Sequence, residues 1–119
     1  MTSRQLANYE ARYRQLAARV ADIGFVMPGT LTQRRTRCGK TNCRCHADPP
    51  VLHGPYWQWT TKVDGKTITR RLSDTEAVLY AEWIANDREL RDLTKQMRTL
   101  AAKATAIKLQ QAERNPAEV

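Results

Sequence analysis

Apolar residues recur at spacings of three and four along the first part of the chain, at Leu6, Tyr9, Tyr13, Leu16, Val20 and Ile23. That period aligns them as one stripe and predicts a helix from residue 3 to about 24 with a coiled-coil seam. Ser3 is its candidate N-cap and Gly24 its candidate stop, and Pro28-Gly29 marks a turn into the next element. A second helical pattern begins after Ser73, which stands three residues ahead of Glu76 in the form of a capping box. No Gly or Pro then occurs before Pro116. Leu79, Trp83, Leu90, Leu93, Met97, Leu100, Ala104 and Ile107 fall on one heptad seam, with Asn86 at a seam position between Trp83 and Leu90. A polar residue buried there would set register and partner number. Some forty helical residues would reach about 60 Å, and the first helix is about half as long. The expected arrangement is the first helix paired beside the central module, with a second copy or another protein covering the rest of the seam.

Between the two helices the pattern changes to alternation. Val63-Asp64-Gly65-Lys66 carries the Asp-Gly signal of a two-residue type I′ hairpin turn. That turn sets Lys62 opposite Thr67, Thr61 opposite Ile68, Trp59 opposite Arg70 and Trp57 opposite Leu72. Trp57, Trp59, Val63, Ile68 and Leu72 then form an apolar face suited to packing on a helix. The other face holds Gln58, Thr60, Lys62, Thr67, Thr69 and Arg71, and a one-residue slip would mix the two sets. Thr30 to Arg37 contains no breaker and is a candidate third strand. The predicted fold is α+β: a small antiparallel sheet with a zinc knuckle, flanked by an N-terminal helix and a long coiled-coil-like C-terminal helix. Its segments are residues 1–27, 28–72 and 73–119. A chain of 119 residues suits one domain, small enough for a metal to add useful stability.

Charge is concentrated in the centre. Residues 30–71 carry nine basic side chains against Asp48 and Asp64, a net +7 in a chain of net +8. A patch of this density is the electrostatic footprint of a polyanion-binding surface. No stretch approaches the ~20 apolar residues of a membrane span. The N-terminal MTSRQLANYEARYRQ lacks the apolar core of a signal peptide, so a cytoplasmic protein is expected.

Cys38, Cys43 and Cys45 fall within eight residues, and His53 follows eight positions after Cys45. Clustered thiolates repel one another and are stabilised by a dication, and three cysteines suit a thiolate site better than a disulfide framework. With His53 the set is a Cys3His candidate for structural zinc. His46 is the competing imidazole; its adjacency to Cys45 makes a reach back to the same ion harder, so His53 is preferred. Gly39 would allow a tight turn around the ion, and Asn42 could bond locally within that turn. No paired carboxylates, no nucleophile with an oriented base and no glycine-rich phosphate loop are present, and Asp48 is the only acid in the loop, so an enzyme is not expected.

The polar hairpin face is the expected reader of duplex DNA, with Gln58, Lys62, Lys66 and Arg71 on the hairpin and Arg34, Arg35, Arg37, Lys40 and Arg44 flanking the knuckle. Trp57 and Trp59 could stack on bases, but their apolar neighbours favour a core role.

The strings RCGKTNCRC, HGPYW and VDGKT resemble an uncharacterised family of small bacterial zinc-knuckle-like proteins, over roughly residues 28–90. The resemblance implies Cys38, Cys43, Cys45 and His53 as ligands, with His46 outside the pattern. It also implies association with recombinases or transposases of mobile elements. The expectation is a zinc-stabilised DNA-binding accessory protein that forms homo-oligomers or recruits a recombinase-type enzyme. The opposing expectation is a protein adaptor that docks on a larger DNA-processing enzyme through its coiled coil and zinc module.

Overall fold

A computed structural model describes residues 3–114. The elements run α1 (Ser3–Ala21), β1 (Thr30–Thr36), a single 3-10 turn (Arg44–His46), β2 (His53–Val63), β3 (Lys66–Leu72) and α2 (Asp74–Arg114). This is the α+β arrangement that the hydrophobic pattern predicts. Ser3 is already helical, so it is not a cap, and α1 ends at Ala21, three residues before Gly24. Its last turn closes through Asp22 N–H to Arg19 O and Ile23 N–H to Val20 O. Pro116 lies outside the described residues. The chain divides into two compact units, residues 25–87 and residues 3–24 with 88–114.

In the unit of residues 25–87, the strands form one antiparallel sheet in the order β1-β2-β3. Asp64 at φ 51° and Gly65 at φ 78° make the two-residue turn that the Asp-Gly pair signals. The register follows from it: Lys62 pairs with Thr67, Thr61 with Ile68, Trp59 with Arg70 and Trp57 with Leu72. On the other side β1 sets Leu31 opposite Trp59, Thr32 opposite Gln58 and Arg34 opposite Tyr56.

The first turns of α2 cover one face of this sheet. Leu72, Tyr80 and Ile84 are buried together, with Met27, Leu31, Trp57, Trp59 and Trp83 packed around them. The Trp59 and Tyr80 rings meet edge-on at 5.3 Å, and Trp59 Nε1–H donates to Pro28 O at 2.9 Å. Both tryptophans that could have stacked on bases are therefore partly buried and packed against the core. Fully burying an apolar side chain is worth about 1.5–3 kcal/mol, so this cluster contributes to holding the sheet against α2. The apolar layer is shorter than the sequence suggests, because Val63 and Ile68 near the hairpin tip remain 48% and 42% exposed.

The start of α2 is fixed by its capping box. Glu76 N–H donates to Ser73 Oγ at 3.1 Å, and Ser73 N–H donates to Glu76 Oε1 at 3.0 Å. The Ser73 N–H, followed by the Ser73 hydroxyl, holds the Glu76 carboxyl below its ordinary range. The face of α2 that meets the sheet carries Ala77, Tyr80 and Ile84, so Leu79, placed on the predicted seam, is exposed. Asn86 is satisfied within its own chain: its Nδ2 donates to Phe25 O at 2.8 Å.

In the other unit, α1 lies antiparallel to residues 88–114 of α2. Glu10 pairs with Lys108 at 3.5 Å and Arg19 with Glu89 at 3.9 Å. Both pairs are exposed and each contributes only about 0–1 kcal/mol. Cohesion comes instead from Leu93, Leu100 and Ile107, all buried at heptad spacing. The expected pairing of α1 beside the central module is thus replaced by pairing with the later half of α2. The sheet already occupies the earlier half through Tyr80 and Ile84.

Candidate metal centre and basic sheet face

The strand order brings two loops together at one end of the sheet. β1 delivers the chain to Cys38, and β2 begins at His53, which pairs with Thr36 across a bulge between Arg34 and Thr36. Gly54 makes this bulge possible. Its φ is +109°, and a Cβ there would sit 2.8 Å from Arg34 O, so only glycine lets the strand approach that closely. Between the strands, Cys43 N–H donates to Lys40 O and His46 N–H to Cys43 O, which folds residues 40–46 into consecutive tight turns. Gly39 has no role of the kind its type suggests, since its φ is not positive and a Cβ would meet nothing within 4 Å.

This folding gathers Cys38, Cys43, Cys45 and His53, whose ligand atoms all lie within 4.8 Å of one another. Cys38 Sγ and Cys45 Sγ are 3.6 Å apart, and Cys43 Sγ is 3.2 Å from His53 Nε2. A tetrahedral site with metal–sulfur bonds of ~2.3 Å has sulfur–sulfur edges of about 3.8 Å, so the sulfur pair already stands at that spacing. The four residues are positioned to bind a metal ion. Their donor set, three soft sulfurs and one imidazole, is consistent with zinc.

The environment of the thiols supports this reading. Cys45 N–H, followed by the Cys38 and Cys45 side chains, draws the Cys43 pKa down to about 6. Burial, the first cause, pushes the Cys45 thiol up, and Cys45 is wholly enclosed. Cys38 N–H donates to Cys45 Sγ at 3.2 Å, a bond suited to a thiolate. His46 is outside the cluster. Its Nε2 lies 2.7 Å from Cys38 O, where it can donate to that carbonyl and brace the loop.

The sheet face turned away from α2 is basic. Register places Arg34, Gln58, Lys62 and Arg71 on it, together with Thr30, Thr32, Thr60, Thr67 and Thr69. No strand of the sheet contains an acidic residue. A concavity of about 240 Å³ opens on this face, lined by Arg34, Thr36, Tyr56, Trp57, Gln58, Thr69 and Arg71. The Arg71 guanidinium lies over the Tyr56 ring, 3.9 Å from its centroid.

Lys66 pairs with Val63 and falls on the opposite face. Arg35, between Arg34 and Thr36, falls there too by alternation. Arg37, Lys40 and Arg44 are exposed around the metal centre. Tyr56 and Thr36 belong to the concavity without having been singled out from the sequence, whereas Thr69 was already placed on the polar hairpin face. The signal for Tyr56 was its diagonal relation to Arg71, one step along the strand face from Gln58.

Two larger grooves, of about 470 and 520 Å³, lie between α1 and the later half of α2. They are lined largely by long exposed side chains such as Arg12, Lys95 and Lys108 and gather no cluster of potential ligands.

Residues 6–81 match a family described as a domain of unknown function, DUF6788, and cover more than half of the chain. The chain belongs to the DUF6788 family. The DUF6788 match takes in α1 from Leu6 onward, all four members of the metal centre and the whole sheet, and ends in the early turns of α2. No curated protein and no solved structure matches the chain. Among the described residues, no helix is long and apolar enough to cross a membrane.

Proposed function

We propose that this DUF6788 protein is a non-enzymatic, zinc-stabilised duplex-DNA-binding protein that assists a recombinase or transposase of a mobile element. The observation that carries the reading is the open sheet face, where Arg34, Gln58, Lys62 and Arg71 stand among threonines with no acid on any strand. Charge of this kind binds phosphates, and amide and guanidinium groups on a strand can reach base edges in the major groove. The three strands measure about 10 Å from edge to edge, against a groove about 12 Å wide. With both tryptophans packed against the core, a duplex suits the face better than a single strand that needs a stacking platform.

Zinc held by Cys38, Cys43, Cys45 and His53 would act structurally, tying the end of β1 to the start of β2 so that the flanking Arg37, Lys40 and Arg44 meet the DNA backbone in a fixed arrangement. The link to a recombinase or transposase rests on the likeness of RCGKTNCRC and HGPYW to proteins found beside such enzymes.

A gel shift with the full chain and a duplex at low salt tests the DNA reading. Binding is expected, and the double charge reversal Lys62→Glu with Arg71→Glu should abolish it while metal content and circular dichroism stay unchanged. Unchanged affinity would favour the adaptor. That second reading draws on the exposed Phe25 at 82% and Val78 at 71%, apolar side chains available to a protein partner.

A further inference from the structure

The geometry points to the concavity around Arg71 as a base-reading site, in which the Arg71 guanidinium takes the O6/N7 edge of a guanine. This inference rests on the duplex-DNA function proposed above and adds the identity of the base and of the residue that reads it.

Arg71 differs from the other cations of the open face. Arg34, Lys62 and Arg71 are all exposed, but the Arg71 guanidinium is held 3.9 Å from the centroid of the Tyr56 ring. Stacking on an aromatic fixes the plane of the guanidinium while its N–H groups stay free to donate at the rim of that plane. Bidentate recognition needs that condition: a fork whose orientation is settled before the base arrives loses less side-chain entropy on binding. Guanine offers two adjacent acceptors in the major groove, and arginine is the side chain whose geometry matches them.

The surroundings fit a base edge better than a phosphate alone. The concavity holds about 240 Å³, room for several water molecules at about 30 Å³ each. Gln58 lies directly across from Arg71 in the β2–β3 ladder, so an amide stands beside the guanidinium and can address the neighbouring base. Thr69, Thr36 and Trp57 complete a lining free of acidic groups. Arg34, directly opposite Tyr56 on β1, flanks the site on its other side, where a phosphate of the same strand would pass. One face of Tyr56 is covered by Arg71, so the ring supports the arginine instead of serving as a platform for a base.

The test is selection from a randomised duplex pool by the full, metal-loaded chain, followed by affinity measurements on paired duplexes that differ by guanine or adenine at the enriched position. The wild-type protein is expected to enrich guanine at one fixed position. Arg71→Lys keeps the charge but not the fork, and should reduce the guanine-to-adenine affinity ratio about tenfold. Tyr56→Leu, which removes the ring beneath the guanidinium, should lower the ratio as well, whereas Tyr56→Phe should preserve it. Lys62→Gln should weaken both duplexes in parallel. A ratio unaltered in Arg71→Lys, or a wild-type protein that binds duplexes without enriching guanine, overturns the base-reading role and leaves the DNA-binding function standing. Failure of the wild-type chain to bind any duplex removes both.

Discussion

His53 and His46 show how far residue type and spacing carry the identification of a metal ligand. Both follow the cysteines closely, and only their backbone settings separate them. His53 opens β2 beside Thr36 and brings Nε2 to 3.2 Å from Cys43 Sγ, whereas His46 lies in the 3-10 turn with its imidazole against Cys38 O. The chain purified without chelator is expected to carry one zinc per molecule by inductively coupled plasma mass spectrometry. His53→Ala and Cys45→Ser should each fall below half an equivalent, while His46→Ala should retain the full complement. Loss of metal from His46→Ala with retention in His53→Ala would reverse the assignment. The ligand set was legible because thiolates this close together call for a cation. The requirement for Gly54 was not, since it arises from the approach of Arg34 O across the bulge and not from any local pattern.

At the scale of elements, the hairpin and the start of α2 were readable because each is set by a few adjacent residues. Asp64-Gly65 fixes the register of β2 and β3, and Ser73 with Glu76 fixes the first turn of the long helix. Ser73→Ala should cost about 1 kcal/mol in urea denaturation. The Glu76 carboxyl is held below its ordinary value of 4.5, so its contribution is complete above that value and is lost as pH falls through the lower value of the folded state. Glu76→Gln should therefore destabilise the chain at neutral pH, and its deficit should shrink on acidification below 4.5. A deficit that grows toward low pH would contradict the cap. The single seam drawn along α2 was only half right, because the early turns of the helix pack on the sheet while residues 88–114 belong to the unit of α1. Ala77, Tyr80 and Ile84 meet the sheet, while Leu93, Leu100 and Ile107 lie buried in the unit that contains α1. Heptad counting assumes one continuous neighbour, and so it misplaced Leu79. Leu93→Ala, at a site with no exposed surface, should cost about 2–5 kcal/mol by thermal or urea unfolding.

Across the whole molecule, the division into two compact units gives the metal a local duty. Chelation is expected to deprotect the amides of β1 and of the first residues of β2 in hydrogen exchange, while α1 and residues 88–114 keep their protection. Equal loss in both units would show that the ion supports more than the unit that holds it. By itself the sequence determined the kinds of element, the hairpin register, the clustering of thiols and the excess of positive charge in the centre. These depend on neighbours a few positions apart, where periodicity, turn stereochemistry and electrostatic repulsion act directly. Only the packed chain settles which half of α2 receives α1, that Gly54 must admit Arg34 O at the bulge, and that Arg71 rests on Tyr56. Those outcomes depend on competition among distant segments for the same buried surface, and no local pattern records which segment wins.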